Sequence, residues 1–118
     1  MKRMIVLAAI FIPGLAFAQG IQSGTVAEIR VSTRTIPGGN PTHVRLQAAA
    51  TSSPIADCAA TTKALGFWAI DTDTSAGKNL LSALLMAEAT GKQVVVWGTG
   101  ACDLRSDMET VYQVIISP

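Results

Sequence analysis

The chain has 118 residues, of which 49% are hydrophobic and 14% are charged. This length accommodates one domain and is too short for two. Nine basic residues stand against eight acidic ones, and this near balance argues against a nucleic-acid partner, because phosphate binding needs clustered positive charge.

The N-terminal segment has the features of a secretion signal. Lys2 and Arg3 precede an almost uncharged apolar run that ends in the small-x-small cleavage sequence Ala16-Phe17-Ala18. The run is shorter than the roughly 20 residues that span a bilayer, so no membrane span is expected. We therefore predict a signal peptide over residues 1–18 and a single domain over residues 19–118, secreted or periplasmic. Cleavage leaves seven basic residues (nine minus two) and eight acidic ones, so the exported domain is close to neutral.

The first half of the domain reads as two strands joined by a turn. Apolar residues Ala27, Ile29 and Val31 alternate with polar ones, which is typical of a half-buried strand. A cluster of glycine and proline then predicts a turn, and Val44 and Leu46 point inward in the strand that follows. The predicted elements are a strand over 25–32, a turn over 36–41, a strand over 43–47 and a surface loop over 48–63.

The second half contains a helix between strands. Asp73, Thr74 or Ser75 can cap the helix N-terminus, and Gly91 marks its C-terminus. Four leucines are predicted to pack against the sheet, and the apolar arc is wide enough to suggest contact with another subunit. These leucines are Leu80, Leu81, Leu84 and Leu85. The predicted elements are a strand over 66–70, a helix over 75–90, a strand over 93–97 and a strand over 110–116.

Cys58 and Cys102 are the only two cysteines of the chain. An exported protein meets an oxidising environment, so a disulfide between them is expected. A reactive thiol or a metal pair is the alternative, but neither cysteine lies in a C-x-x-C pair and His43 is the only histidine. We therefore expect no metal and no cofactor.

Three strands, a helix and two further strands follow the order of the OB-fold, a partly open barrel of five strands. The predicted class is therefore mainly β with one helix, arranged as a five-stranded OB barrel whose helix lies between strands 3 and 4. Another small α+β domain fits the same pattern and stays open as an alternative.

Two segments resemble the B subunit of subtilase cytotoxin and related AB5 toxins. They are Ser23-Gly24-Thr25-Val26, which opens the first strand, and Thr90-Gly91-Lys92-Gln93-Val94, after which the strand ends in the aromatic Trp97. The resemblance implies an OB-fold that forms a homopentamer, binds sialylated glycans on its outer surface and docks a separate enzymatic subunit. It also implies that Ser23 contacts the sugar, with Thr25 and Thr99 as candidate neighbours. The family's acidic residue before this serine would fall near Gln19, which departs from the pattern.

Catalysis is not expected, because no nucleophile, base and orienting group form a recognisable signature. Ser23 lacks the G-x-S-x-G elbow, and Ala76-Gly77-Lys78-Asn79 lacks the first glycine and the final Ser/Thr of a phosphate loop. The sequence therefore predicts an exported, non-catalytic binding module, with a monomeric periplasmic domain that binds a protein partner as the alternative. Trp68 and Trp97 are expected in the core, with a sugar platform as the minority interpretation. A solvated face is the favoured interpretation of His43, Arg45 and Gln47.

Overall fold

The computed structural model describes residues 19–32 and 40–117. The predicted signal peptide and most of the predicted turn over residues 36–41 lie outside these ranges. The elements are β1 (Ile21–Arg30), β2 (Thr42–Ser53), α1 (Ala60–Leu65), β3 (Phe67–Ile70), α2 (Ser75–Thr90), β4 (Gln93–Gly98) and β5 (Val111–Ile116).

The strands form one antiparallel sheet in the order β3-β2-β1-β4-β5. The two ends of this sheet meet through one isolated parallel bridge, between Ala69 and Thr110. The mainly β class is thus confirmed. A closed five-stranded barrel is not established, because within the described ranges a single bridge, rather than a ladder, links β3 to the segment before β5.

The predicted loop over residues 48–63 is wrong. Its first part continues β2 as far as Ser53, and its last part forms α1. Strand β1 begins at Ile21, before the predicted start, so it offers a pairing partner to residues that lack strand propensity of their own: Ile21 pairs with Ser53, and Ser23 with Ala50. Helix α1 has six residues, too few to be stable alone, so tertiary contacts determine it and the sequence pattern does not reveal it.

Helix α2 has the predicted bounds. The Thr74 hydroxyl accepts a hydrogen bond from the backbone N–H of Gly77 at 3.0 Å, and Gly91 ends the helix with a left-handed φ of 67°. The expectation for its leucines holds only in part: Leu84 is buried, whereas Leu85 is 45% exposed. The sheet covers one side of the helix, so a residue next to the buried stripe still faces solvent.

The core lies between the inner side of the sheet and α2. Trp68 is fully buried, as predicted, and its indole Nε1 donates to Gln22 Oε1 at 2.9 Å. Trp97 is only partly buried, so the prediction that both tryptophans belong to the core is wrong for Trp97. The other fully buried members of the hydrophobic cluster are Val44, Ala59, Ile70, Leu84, Ala87, Val94 and Val96.

The predicted disulfide between Cys58 and Cys102 is present, with the two Cα atoms 6.2 Å apart. It joins the residues just before α1 to the loop between β4 and β5. Neither α1 nor α2 is long and apolar enough to cross a membrane.

Candidate functional site

Ser23 and Thr25 lie on the solvent-facing side of β1. Between and beside them, Gln22 and Gly24 are buried, as the alternation of a strand requires. Thr25 is exposed, and the Ser23 hydroxyl donates a long hydrogen bond of 3.4 Å to the carbonyl of Ala50. Two of the three predicted ligand-binding residues are therefore accessible on one face.

Thr99 does not join them. Its backbone N–H donates to the carbonyl of Thr110 at 2.9 Å, and its hydroxyl bonds the backbone of Ala101. In the pairing of β1 with β4, Ser23 stands opposite Val95, four positions before Thr99. Four residues of strand span about 13 Å, so a small sugar at Ser23 does not reach Thr99.

The neighbours of Ser23 on this face come from β4 and β5. We define the outer face as the solvent-facing side of β1, β4 and β5. Trp97 stands opposite Ile21 and Gln113, and Val95 stands opposite Ser23 and Ile115. Ile115 is 42% exposed. Tyr112, which is 61% exposed, lies at the register shift between β4 and β5 and has no partner in β4. Polar groups and exposed apolar surface thus alternate across the outer face.

Trp97 presents part of its ring, rather than its N–H group, on the outer face. The residue is partly exposed, yet its Nε1 atom is buried and has no hydrogen-bond partner within the described ranges. The accessible part of the side chain is therefore aromatic carbon, which suits stacking better than hydrogen bonding.

A groove lies at the edge of β2, and no sequence pattern predicts it. We call it the β2-edge groove; its volume is about 350 Å³. Strand β3 pairs with β2 only from Thr42 to Arg45, and α1 takes the place of a strand beyond that point. The groove is lined by Gln22, Arg45, Leu46, Gln47, Ala49, Thr51, Lys63, Ala64, Leu65 and Gly66.

Two cationic side chains line the β2-edge groove. The Arg45 guanidinium carbon lies 6.0 Å from the centre of the Phe67 ring, within reach of a cation–π contact. Lys63 Nζ lies 3.2 Å from Asp57 Oδ1, but that carboxylate is fully exposed and such a pair contributes little. Within the described ranges, Arg45 forms no ion pair, so the groove carries positive charge.

Among the described residues, the most buried ionisable side chain is that of Glu109, at 0% exposure. Three backbone N–H groups surround its carboxylate: Ala56 N–H donates to Oε1 at 2.7 Å, and Gly20 and Gly100 N–H donate to Oε2 at 3.0 and 3.3 Å. The Glu109 backbone N–H donates to the Thr62 hydroxyl at 3.0 Å. Enclosed in this way, the carboxylate has no access to a substrate and serves the fold.

Other reactive groups are likewise engaged in structure. Both cysteines form the disulfide, and His43 is 5% exposed with Nδ1 at 3.0 Å from the carbonyl of Pro41. The described residues hold no cluster of three or more His, Cys, Asp or Glu side chains that could bind a metal ion.

Asp107 is the acidic group with a perturbed titration. A hydrogen bond from the Thr61 hydroxyl, 2.5 Å from Asp107 Oδ2, lowers the pKa of Asp107, and the Arg105 guanidinium lowers it further. Burial acts in the opposite direction and is outweighed. Because the folded state lowers this pKa, the pair with Thr61 stabilises the fold at neutral pH and is lost as the pH falls through the folded-state pKa.

The sequence pattern does not predict two of these features. In the sequence, Glu109 is an acidic residue just before a predicted strand. The residues next to it do not indicate that backbone N–H groups from distant segments converge on its carboxylate. The β2-edge groove depends on the extension of β2 and on α1, both of which fall in the segment predicted as a loop.

Comparison with protein-family models, with curated proteins and with solved structures gives no match. The resemblance to toxin B subunits therefore stays a prediction.

Proposed function

We propose that this protein is an exported, non-catalytic binding module of OB type that binds a glycan on its outer face. One observation carries the proposal: Ser23 and Thr25 lie on the same solvent-facing side of the sheet as Trp97. Sugars bind proteins through hydroxyl groups and through C–H surfaces that stack on aromatic rings. The disulfide supports export, because disulfides persist mainly in oxidising compartments.

The proposed sugar lies over β1 and β4, with Trp97 beneath it. The Ser23 hydroxyl and the Gln113 amide are the polar groups nearest to this position in the strand register. The hydrogen bond from Ser23 to the Ala50 carbonyl is long, at 3.4 Å, so exchanging it for one to a ligand costs little. Thr25 lies one step further along β1, and Thr99 is left out of the site.

The test is a monovalent titration of the mature protein with sialylated and neutral oligosaccharides. Loss of one hydrogen bond costs about 0.5–1.5 kcal/mol, so Ser23→Ala should weaken binding by roughly 2- to 13-fold. Trp97→Leu should weaken it further, by removing the stacking surface. Ser82→Ala, the same change at an exposed site on α2, is the control and should leave affinity unchanged.

Monovalent ligands are needed because a ring would bind a surface array with avidity that hides the loss. Absence of binding by the wild type across both glycan classes would reject the proposal. Equal losses for Ser23→Ala and Ser82→Ala would place the ligand elsewhere.

The ring is a further part of the proposal, in which a homopentamer docks a separate enzymatic subunit. Its support is the exposed apolar surface of α2, where Leu85 and Met86 are 45% and 57% exposed. The native mass of the mature protein in solution tests it, since a monomer at micromolar concentration excludes the ring. The alternative function, a monomeric domain that binds a protein partner, has its own support in the β2-edge groove.

A further inference from the structure

The second half of β2 has an open edge. On one side, β2 pairs with β1 from Arg30 opposite His43 to Ile21 opposite Ser53, with three register shifts on the way. On the other side, β3 ends opposite Arg45, and one further hydrogen bond follows, from Leu46 N–H to the Gly66 carbonyl at 2.9 Å. Within the described ranges, no strand pairs with residues 47–53 on that side.

This open edge is exposed and lacks two of the usual protections, charge and proline, although its pairing with β1 contains register shifts. Gln47 and residues 49–52 are all exposed, and residues 47–53 include no charged side chain and no proline. Natural edges are commonly blocked by lysine, proline or a covering element, because unpaired N–H and C=O groups attract another strand. Here the next proline, Pro54, comes only after the edge has ended.

The groove beside the edge has the shape and charge for one kind of occupant. Seven residues of strand extend about 23 Å, and the C-terminal turn of α1 forms the opposite wall with Lys63, Ala64 and Leu65. Lys63 and Arg45 supply positive charge, while Leu46 and Leu65 supply apolar contact. An extended peptide would pair its backbone with β2 and place alternate side chains in the groove.

We propose that the β2-edge groove binds an extended, acidic peptide segment of a partner protein by strand addition to residues 47–53. The backbone pairing gives the binding energy, and carboxylates on alternate residues select the ligand through Lys63 and Arg45. The groove lies on the β3 side of β2, whereas the proposed glycan site lies over β1 and β4. Failure of one proposal therefore does not contradict the other.

The test uses the mature, isotopically labelled protein and a capped heptapeptide of sequence Thr-Glu-Val-Glu-Val-Glu-Thr, followed by amide NMR. We expect shift changes concentrated at residues 47–53 and 63–66. Lys63→Glu and Arg45→Glu should each weaken binding at least tenfold, because each replaces attraction by repulsion. Lys92→Glu, the same change at an exposed position just after α2, is the control and should change affinity less than twofold.

Three further peptides, one with lysine and two with N-methylated backbones, separate strand addition from simple charge attraction. The same heptapeptide with lysine in place of glutamate should not bind. N-methylation of the heptapeptide at alternate residues should abolish binding in one register and spare it in the other, because only one set of peptide N–H groups faces β2.

Three results would overturn the proposal. Reproduction of the shifts by glutarate would make the groove a small-anion site. Both N-methylated peptides could bind as well as the parent, which would exclude backbone pairing. Finally, the unliganded protein could form a dimer whose amides at residues 47–53 are already protected and stay so with peptide, which would assign the edge to a second copy.

Discussion

At the scale of single residues, Glu109 links segments that are far apart in the sequence through hydrogen bonds. Its carboxylate accepts hydrogen bonds from N–H groups of the residue before β1, of the loop before α1 and of the loop after β4. Its own backbone carbonyl accepts from Ala69 N–H in β3 at 3.0 Å. Gly98 leaves the space for it, because a Cβ atom there would lie 1.5 Å from Glu109 Oε2.

Glu109→Gln should therefore destabilise the protein strongly. The change turns one acceptor oxygen into an NH₂ donor that faces a backbone N–H, and it weakens charge-assisted hydrogen bonds of about 1.5–3 kcal/mol each. We expect a loss of about 2–4 kcal/mol in the free energy of unfolding, measured by urea denaturation. Glu88→Gln, the same change at an exposed site on α2, is the control. Equal, small effects of both changes would show that the buried carboxylate does not hold these segments together.

At the scale of elements, the sequence predicts what local pattern determines. Helix α2 and the inward Val44 and Leu46 of β2 follow from capping residues and alternation, and Ser75–Thr90 has the predicted bounds. Helix α1 and the end of β2 follow instead from the disulfide, from Thr62 and from the pairing partner that β1 supplies. Ser23 and Thr25 of the predicted site share a face, as alternation along one strand predicts. The distance of Thr99 from them depends on the register between β1 and β4, which no local pattern reveals.

Gly77 illustrates a tertiary constraint that overrides helix propensity. In an exposed helix position, Gly→Ala stabilises by about 1 kcal/mol. Gly77 is buried, and a Cβ there would lie 1.5 Å from the Asp71 carbonyl oxygen. Gly77→Ala should instead cost about 1–3 kcal/mol through overpacking. Thermal unfolding measures this, with Asn79→Ala at an exposed position of the same helix as the control of opposite sign. A Gly77→Ala protein that is more stable than the wild type would show that the first turn of α2 can move away from Asp71 at little cost in free energy.

At the scale of the whole molecule, a few long-range contacts connect the two ends of the sheet, β3 and the segment before β5. The bridge between Ala69 and Thr110 joins the two sheet edges, and Thr61 and Asp107 join α1 to the segment before β5. The disulfide adds a covalent link between the same two regions. The open sheet is thus fixed at one end by contacts that centre on residues 105–110.

The disulfide between Cys58 and Cys102 is the covalent link at this end of the sheet. Cys58 and Cys102 are 44 positions apart, and chain entropy assigns about 4 kcal/mol to closing such a loop. Replacing both cysteines by alanine should therefore lower the free energy of unfolding by about 2–4 kcal/mol, measured by urea denaturation of a protein that comprises residues 19–118. Alkylation of the unreduced, unfolded wild type should label neither thiol, whereas prior reduction should expose both. Labelling without reduction would show that the bond does not form in the protein. A double variant as stable as the wild type would instead mean that the Glu109 contacts and the Thr61–Asp107 pair suffice to hold this end of the sheet.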